Sequence, residues 1–159
     1  MKRATAYDIN KKKRRNTMQD DKFDFWENHS EKYLEMALST ERRGIVEQPY
    51  GYGKNTGECG DTVVTYLVVR DGIIRDATFD TNGCINTNAC ANTVSYMVEG
   101  KRVAQAWKLK PEDVIAYLET LPKENYHCAE LAVGSLYLAL SNYQKNKREP
   151  WRKLYLKDN

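Results

Sequence analysis

Hydrophobic and polar positions follow two rhythms along this chain, and the change from one to the other divides it. From Phe23 to Arg43 (FDFWENHSEKYLEMALSTERR), Trp26, Tyr33, Leu34, Ala37 and Leu38 fall near one face of a helical wheel, with charged residues elsewhere. This predicts an amphipathic helix ending before Gly44. Val46 to Gly60 (VEQPYGYGKNTGECG) has neither period and is rich in Gly, Pro, Asn and Thr, which predicts a loop with sharp turns. A strand rhythm follows. Thr62–Arg70 (TVVTYLVVR) is β-branched and aromatic, Asp71-Gly72 accepts positive φ at low cost, and Ile73–Asp80 (IIRDATFD) resumes the strand pattern, so a hairpin is predicted.

The helical rhythm returns after a break at Thr81-Asn82-Gly83. One helix is predicted from about Asn86 to Glu99, closed by Gly100. A second is opened by Pro111, Glu112 and Asp113, turns Val114, Ile115, Leu118 and Leu121 inward, and ends at Pro122. The last runs from near His127 to about Lys145, with Leu131, Ala132, Ser135, Leu136, Ala139, Leu140 and Tyr143 as its buried stripe. Strands grouped early and helices late predict an α+β fold, a small antiparallel hairpin-based sheet packed against several α-helices. With 159 residues the chain suits one domain. We divide it into a basic N-terminal arm (1–20), a folded domain (21–146) and a C-terminal tail (147–159).

Charge changes this picture only at one end. Residues 1–15 hold seven Lys or Arg and one Asp, while the other 144 hold 18 basic and 21 acidic groups, so the net +3 is a basic arm on a mildly acidic body. KKKRR at Lys11–Arg15 is a solvated arm in the first instance, and no specific nucleic-acid partner follows from it. No apolar run reaches the roughly 18 residues of a membrane span, and no apolar signal segment follows the basic start, so a cytoplasmic protein without membrane contact is expected. In a reducing compartment the four cysteines are thiols, read as core residues, metal ligands or reactive groups.

Three of them share a setting. Cys59 precedes the first strand of the hairpin, Cys84 follows the second, and Cys128 opens the last helix beside His127. Antiparallel neighbours place the residue before one strand and the residue after the next at the same end of the sheet, so Cys59 and Cys84 are expected to be close. If the last helix docks its N-terminus there, Cys128, His127 and Asp61 complete a pocket of three thiols, an imidazole and a carboxylate. Such a set suits zinc or an iron-sulfur cluster. The helix start is expected to lower the pKa of Cys128. Cys90, among Ala89, Ala91 and Val94, is expected to be a buried core thiol, His29 a solvated residue, and Trp26, Tyr33 and Trp107 core aromatics. A His127–Cys128 catalytic dyad is disfavoured because adjacent side chains on a helix diverge.

GECGD (Gly57–Asp61), DGIIRDATFDTNGC (Asp71–Cys84), EGK (Glu99–Lys101) and YHCAELA (Tyr126–Ala132) together resemble, in order and over about residues 30 to 145, the iron-sulfur cluster assembly scaffold family of IscU and the N-terminal domain of NifU. The resemblance implies an IscU/SufE-like fold. It implies that Cys59, Cys84 and Cys128 are the scaffold cysteines, and that Asp61 and His127 are the weaker donors beside them. It implies no turnover chemistry of its own. Sulfur would come from a cysteine desulfurase of IscS or NifS type, iron would be supplied, and a transient [2Fe-2S] cluster would be built and passed to acceptor apo-proteins, by a monomer or by a cluster-bound dimer. Cys128 is the first choice as sulfur acceptor, and the isolated protein is compatible with bound zinc. The alternative is a zinc-binding persulfide acceptor of SufU type, but that branch carries an insertion between its second and third cysteines and lacks this histidine. In place of the LPPVK by which IscU proteins meet their DnaK-like chaperone stands LPKEN at Leu121–Asn125, which leaves that partnership open.

Overall fold

The computed structural model describes residues 28–149. The expected arm, Trp26 and the end of the expected tail lie outside the described residues. The elements in order are α1 (Glu31–Leu38), β1 (Gly51–Thr56), β2 (Thr62–Arg70), β3 (Ile73–Thr81), α2 (Ile85–Val98), the short α3 (Val103–Ala106), α4 (Pro111–Leu118), a 3₁₀ turn (Lys123–Asn125) and α5 (Tyr126–Arg148). The sheet is antiparallel in the order β1-β2-β3. Its inward residues Val63, Leu67, Ile74 and Phe79 are sealed by Val94 and Val98 of α2, Leu118 of α4 and Leu136 and Leu140 of α5. This is the expected α+β arrangement. Among the described residues no helix is long and apolar enough to cross a membrane.

The predicted hairpin is present, turned by Asp71 (φ 56°) and Gly72 (φ 73°), the two positive dihedrals that a two-residue hairpin turn requires. The predicted helices from Asn86, Pro111 and His127 are also present; the second stops at Leu118, where Glu119 takes φ 62°, instead of reaching Pro122, and the last extends to Arg148, past its expected end near Lys145.

Two expectations are corrected. The segment read as a loop contains the edge strand β1, paired with β2 from Gly51↔Leu67 to Thr56↔Thr62. Its glycines are present because α5 lies directly on them. A Cβ on Gly51 would stand 2.5 Å from the Ala139 carbonyl oxygen, and one on Gly53 would stand 2.2 Å from that of Ser135. Glycine at these two positions admits the helix so closely, and Asn55, next on the same face, fits where Gly134 leaves room for it. The alternation of Gly51 and Gly53 was therefore a strand period in which the inward residues are absent side chains.

The first helix is the second correction, because it ends at Leu38 instead of continuing to Arg43. Ser39 is extended, and residues 42–44 pair with the open edge of β3: Phe79 N–H donates to Arg42 O at 3.0 Å and Gly44 N–H to Phe79 O at 2.9 Å. A sheet edge with unpaired backbone outcompetes a weak helical continuation through Ser39 and Thr40. The helix phase also differs. Tyr33, Met36 and Ala37 are buried, whereas Leu38 is 52% exposed. From α2, Asn88 Nδ2 donates to Ala37 O at 3.1 Å and Asn92 Nδ2 to Met36 O at 3.0 Å, satisfying carbonyls that the end of α1 leaves open.

Candidate functional site

Four chain segments meet at the end of the sheet away from the Asp71-Gly72 turn. The β1–β2 connection, Gly57–Asp61, is a closed loop in which Gly57 N–H donates to Asp61 O (2.9 Å) and Gly60 N–H to Gly57 O (3.0 Å), with Gly60 at φ 89°. Thr81 Oγ1 donates to Thr62 O at 2.7 Å, and Thr62 N–H donates to Asn82 Oδ1 at 2.7 Å, which ties the start of β2 to the exit of β3. Cys84 then occupies the N-cap position of α2. α5 arrives with its first turns at the same end, held by Asn55 Nδ2 donating to Leu131 O at 3.2 Å.

Asp61, Cys84, Cys128 and His127 are brought into one network, and its centre is a residue that the sequence pattern did not single out. The Thr87 hydroxyl donates to Asp61 Oδ2 at 3.0 Å and lies 3.3 Å from Cys128 Sγ and 3.7 Å from Cys84 Sγ. His127 Nε2 is 3.6 Å from Cys128 Sγ. These neighbours therefore meet, against the expected divergence, because the exposed imidazole folds back over the buried thiol at the first turn. The Cys59 sulfur lies to one side, exposed, near Gly57 and Leu131: a Cβ on Gly57 would be 3.7 Å from Cys59 Sγ and 3.6 Å from Leu131 Cδ1. Among the described residues no three Cys, His, Asp or Glu side chains are already arranged to hold a metal ion. The donor set is of the right chemistry, but a hydroxyl stands between a carboxylate and two sulfurs.

The two inner thiols differ in acidity. Burial pushes the Cys84 thiol up, yet the Thr87 N–H and hydroxyl and the Asn86 N–H outweigh it, leaving the thiol below its ordinary value. For Cys128 burial wins. The Thr87 hydrogen bond opposes it, while Cys84, Asp61 and Cys59 add to the rise, so the thiol lies above its ordinary value. This corrects the expectation that a helix start lowers Cys128: the residue is inside the first turn and 1% exposed, so desolvation of the thiolate exceeds any gain from the helix dipole. Cys90 is fully buried in α2 and pushed well above its ordinary value by that burial, as a core thiol should be. His29 is half-buried rather than solvated, stacked on Tyr33 at 4.1 Å with Nδ1 3.1 Å from Thr120 Oγ1. Tyr33 is buried as expected, and Trp107 is half-buried against Tyr137.

A signal for Thr87 was present. It lies three residues after a cysteine that precedes a helix, and on a helix residues three apart share a face.

Known proteins resemble this chain in sequence and in fold. Residues 29–150 match the family described as NifU-like N terminal domain. The chain is 31% identical over 116 residues to the iron-sulfur cluster assembly scaffold protein IscU 1 of Archaeoglobus fulgidus, covering 72% of this chain and 76% of that protein. It is 39% identical over 92 residues to the IscU scaffold of Escherichia coli K12, covering 57% and 70%. The crystal structure of a nitrogen-fixing NifU-like protein (N-terminal) from Brucella abortus superposes with a TM-score of 0.61 at 18% identity, over 73% of this chain and 94% of that one.

Proposed function

Since the chain belongs to the family of NifU-like N-terminal domains and IscU scaffolds, a family of general iron-sulfur scaffold and sulfur-handling function, we propose that it receives sulfur from a cysteine desulfurase, assembles a transient [2Fe-2S] cluster with supplied iron, and transfers that cluster to acceptor proteins. Cys59, Cys84 and Cys128 are the proposed thiolate donors, with Asp61 and His127 as the weaker ones. The observation that carries this reading is the convergence of Asp61, Cys84 and Cys128 on the Thr87 hydroxyl, from three segments far apart in the chain.

The chemistry follows from the donors. A thiolate attacks the outer sulfur of the desulfurase persulfide, the S–S bond breaks, and the desulfurase thiolate leaves, so the sulfur and its proton pass to the scaffold cysteine. Reducing that sulfur to sulfide takes two electrons from an external donor. Exposure and the depressed pKa favour Cys84 over the buried Cys128 as the first thiol to react. With sulfide and iron in place, three thiolates and a weaker oxygen or nitrogen donor hold a cluster less firmly than four thiolates would, and this favours release over storage.

Anaerobic incubation with ferrous iron, cysteine and a cysteine desulfurase tests the proposal. A brown protein with iron and acid-labile sulfide in equal amounts is expected, and its cluster should pass to an apo-ferredoxin. Colourless protein without bound iron or sulfide overturns the proposal. Protein whose zinc resists replacement by iron while it still accelerates the desulfurase would instead identify a zinc-binding persulfide acceptor.

A further inference from the structure

Thr87 is in the first turn of α2 and fully buried. A threonine inside a helix commonly returns its hydroxyl to the carbonyl one turn back. Thr93 of the same helix does so, donating to Ala89 O at 2.7 Å. Thr87 instead directs its hydroxyl out of the helix, to Asp61 at 3.0 Å and Cys128 at 3.3 Å, with Cys84 Sγ at 3.7 Å. A hydroxyl has one proton and two lone pairs. Asp61, Cys128 and Cys84 therefore compete for the proton, and the lone pairs are open to whichever thiol is protonated.

The side chain is also held in place. A Cβ on Gly83 would stand 2.6 Å from Thr87 Cβ, 2.7 Å from Cγ2 and 2.8 Å from Oγ1, so the branched end fills the space that a side chain at position 83 would need. A β-branched side chain has few rotamers to begin with, and this contact limits them further. Gly83 and Thr87 are thus built as a pair, and their joint product is one hydroxyl placed among three side chains of the site.

We infer that Thr87 is a positioning residue of this site: its hydroxyl gathers Asp61, Cys84 and Cys128 around one point before cargo arrives, and donates to a cysteine sulfur once an incoming ion takes the Asp61 carboxylate. The inference rests on the proposed reading that these residues hold the cargo. Partners that orient ligating side chains typically contribute about 10- to 100-fold to metal affinity. A hydroxyl released from the carboxylate at the moment of loading meets that role, because it exchanges one acceptor for another without leaving either buried and unpaired.

The test uses the full chain, metal-free and without oxygen, titrated with Co²⁺ against a chromophoric chelator. Thr87→Val keeps the shape and removes the hydroxyl, Thr87→Ser keeps the hydroxyl, and Gly83→Ala displaces Thr87 while leaving every donor intact. Thr87→Val and Gly83→Ala are expected to weaken Co²⁺ binding by about tenfold or more and to move the visible cobalt bands, with Thr87→Ser near wild type in both. Circular dichroism and thermal melting establish that each variant is folded. If Thr87→Val is not, Thr87→Ala, which adds no bulk, carries the same expectation. Wild-type affinity and band positions in the variant without the hydroxyl overturn the inference, as does an equal loss in Thr87→Ser. A wild-type chain that takes no Co²⁺ overturns both the inference and the reading beneath it, whereas normal binding by wild type and Thr87→Val alike overturns the inference alone.

Discussion

The start of α1 and the start of α2 leave the same kind of backbone N–H groups to be satisfied, and they are finished in opposite ways. At α1, Ser30 Oγ accepts from Tyr33 N–H at 3.1 Å and donates to Leu118 O at 2.8 Å, so the cap also anchors the helix to its neighbour. At α2 the cap position holds Cys84, which makes no capping hydrogen bond of ordinary geometry, and at α5 Asn125 makes none either. A missing Ser, Thr, Asn or Asp cap costs about 1 kcal/mol. The first of these helices is closed by its cap side chain, whereas the two that bring thiols to the site are not; α4, which carries no thiol, also lacks a side-chain cap, at Lys110. The two thiols differ in acidity, Cys128 raised by burial and Cys84 lowered by the hydrogen bonds it receives.

The largest test of that difference is alkaline stability. Cys90 and Cys128 have raised pKa values, so above about pH 9, the ordinary thiol value, the unfolded chain loses both protons while the folded chain keeps them. The folded state binds more protons there, and stability falls as pH rises. Each retained proton contributes up to about 1.4 kcal/mol per pH unit. Urea unfolding at pH 9 and 10 should show a loss of about 1–2 kcal/mol, with Cys90→Ala removing at least half of it. Tyr33, pushed up to about 12 mainly by burial, extends the trend above pH 10. A flat profile would mean that the thiols are not buried as described.

Next in size is labelling. Timed iodoacetamide treatment of the folded, metal-free protein at pH 7.5, read by peptide mass spectrometry, should modify Cys84 at least about tenfold faster than Cys128, with the preference lost in denaturant. Equal rates would dissolve the contrast between the two helix starts. The smallest effect sharpens it most. Ser30→Ala should lower unfolding free energy by about 1 kcal/mol, whereas Cys84→Ser, which supplies a proper cap, should raise it by about 0.5–1 kcal/mol while abolishing cluster assembly. If both changes destabilise, the Cys84 sulfur is already an adequate cap.

Much of this molecule was legible from local chemistry. Asp71-Gly72 identified the hairpin, because few residues other than glycine, asparagine and aspartate accept its dihedrals. The placing of Cys59 and Cys84 at the same end of the sheet followed from antiparallel geometry, and the helix from His127 carried a clear stripe. What escaped notice depended on contacts between distant segments. Gly51 and Gly53 look like a loop until α5 is laid across them. Arg42 and Gly44 leave the helical pattern only because the edge of β3 claims their backbone. Cys128 looked activated from its place at a helix start, but its burial is a tertiary fact and reverses the sign. Thr87 has no chemistry of its own that a sequence could announce, and its importance lies in what surrounds it.

The fit of α5 onto the bare strand has a mechanical consequence. With the Ser135 and Ala139 carbonyls lodged over Gly53 and Gly51, the long helix is seated on the strand backbone itself and forms the wall behind the rim. The short 57–61 connection, closed by its own backbone hydrogen bonds, stands in front of it, and Cys59 rides on that connection.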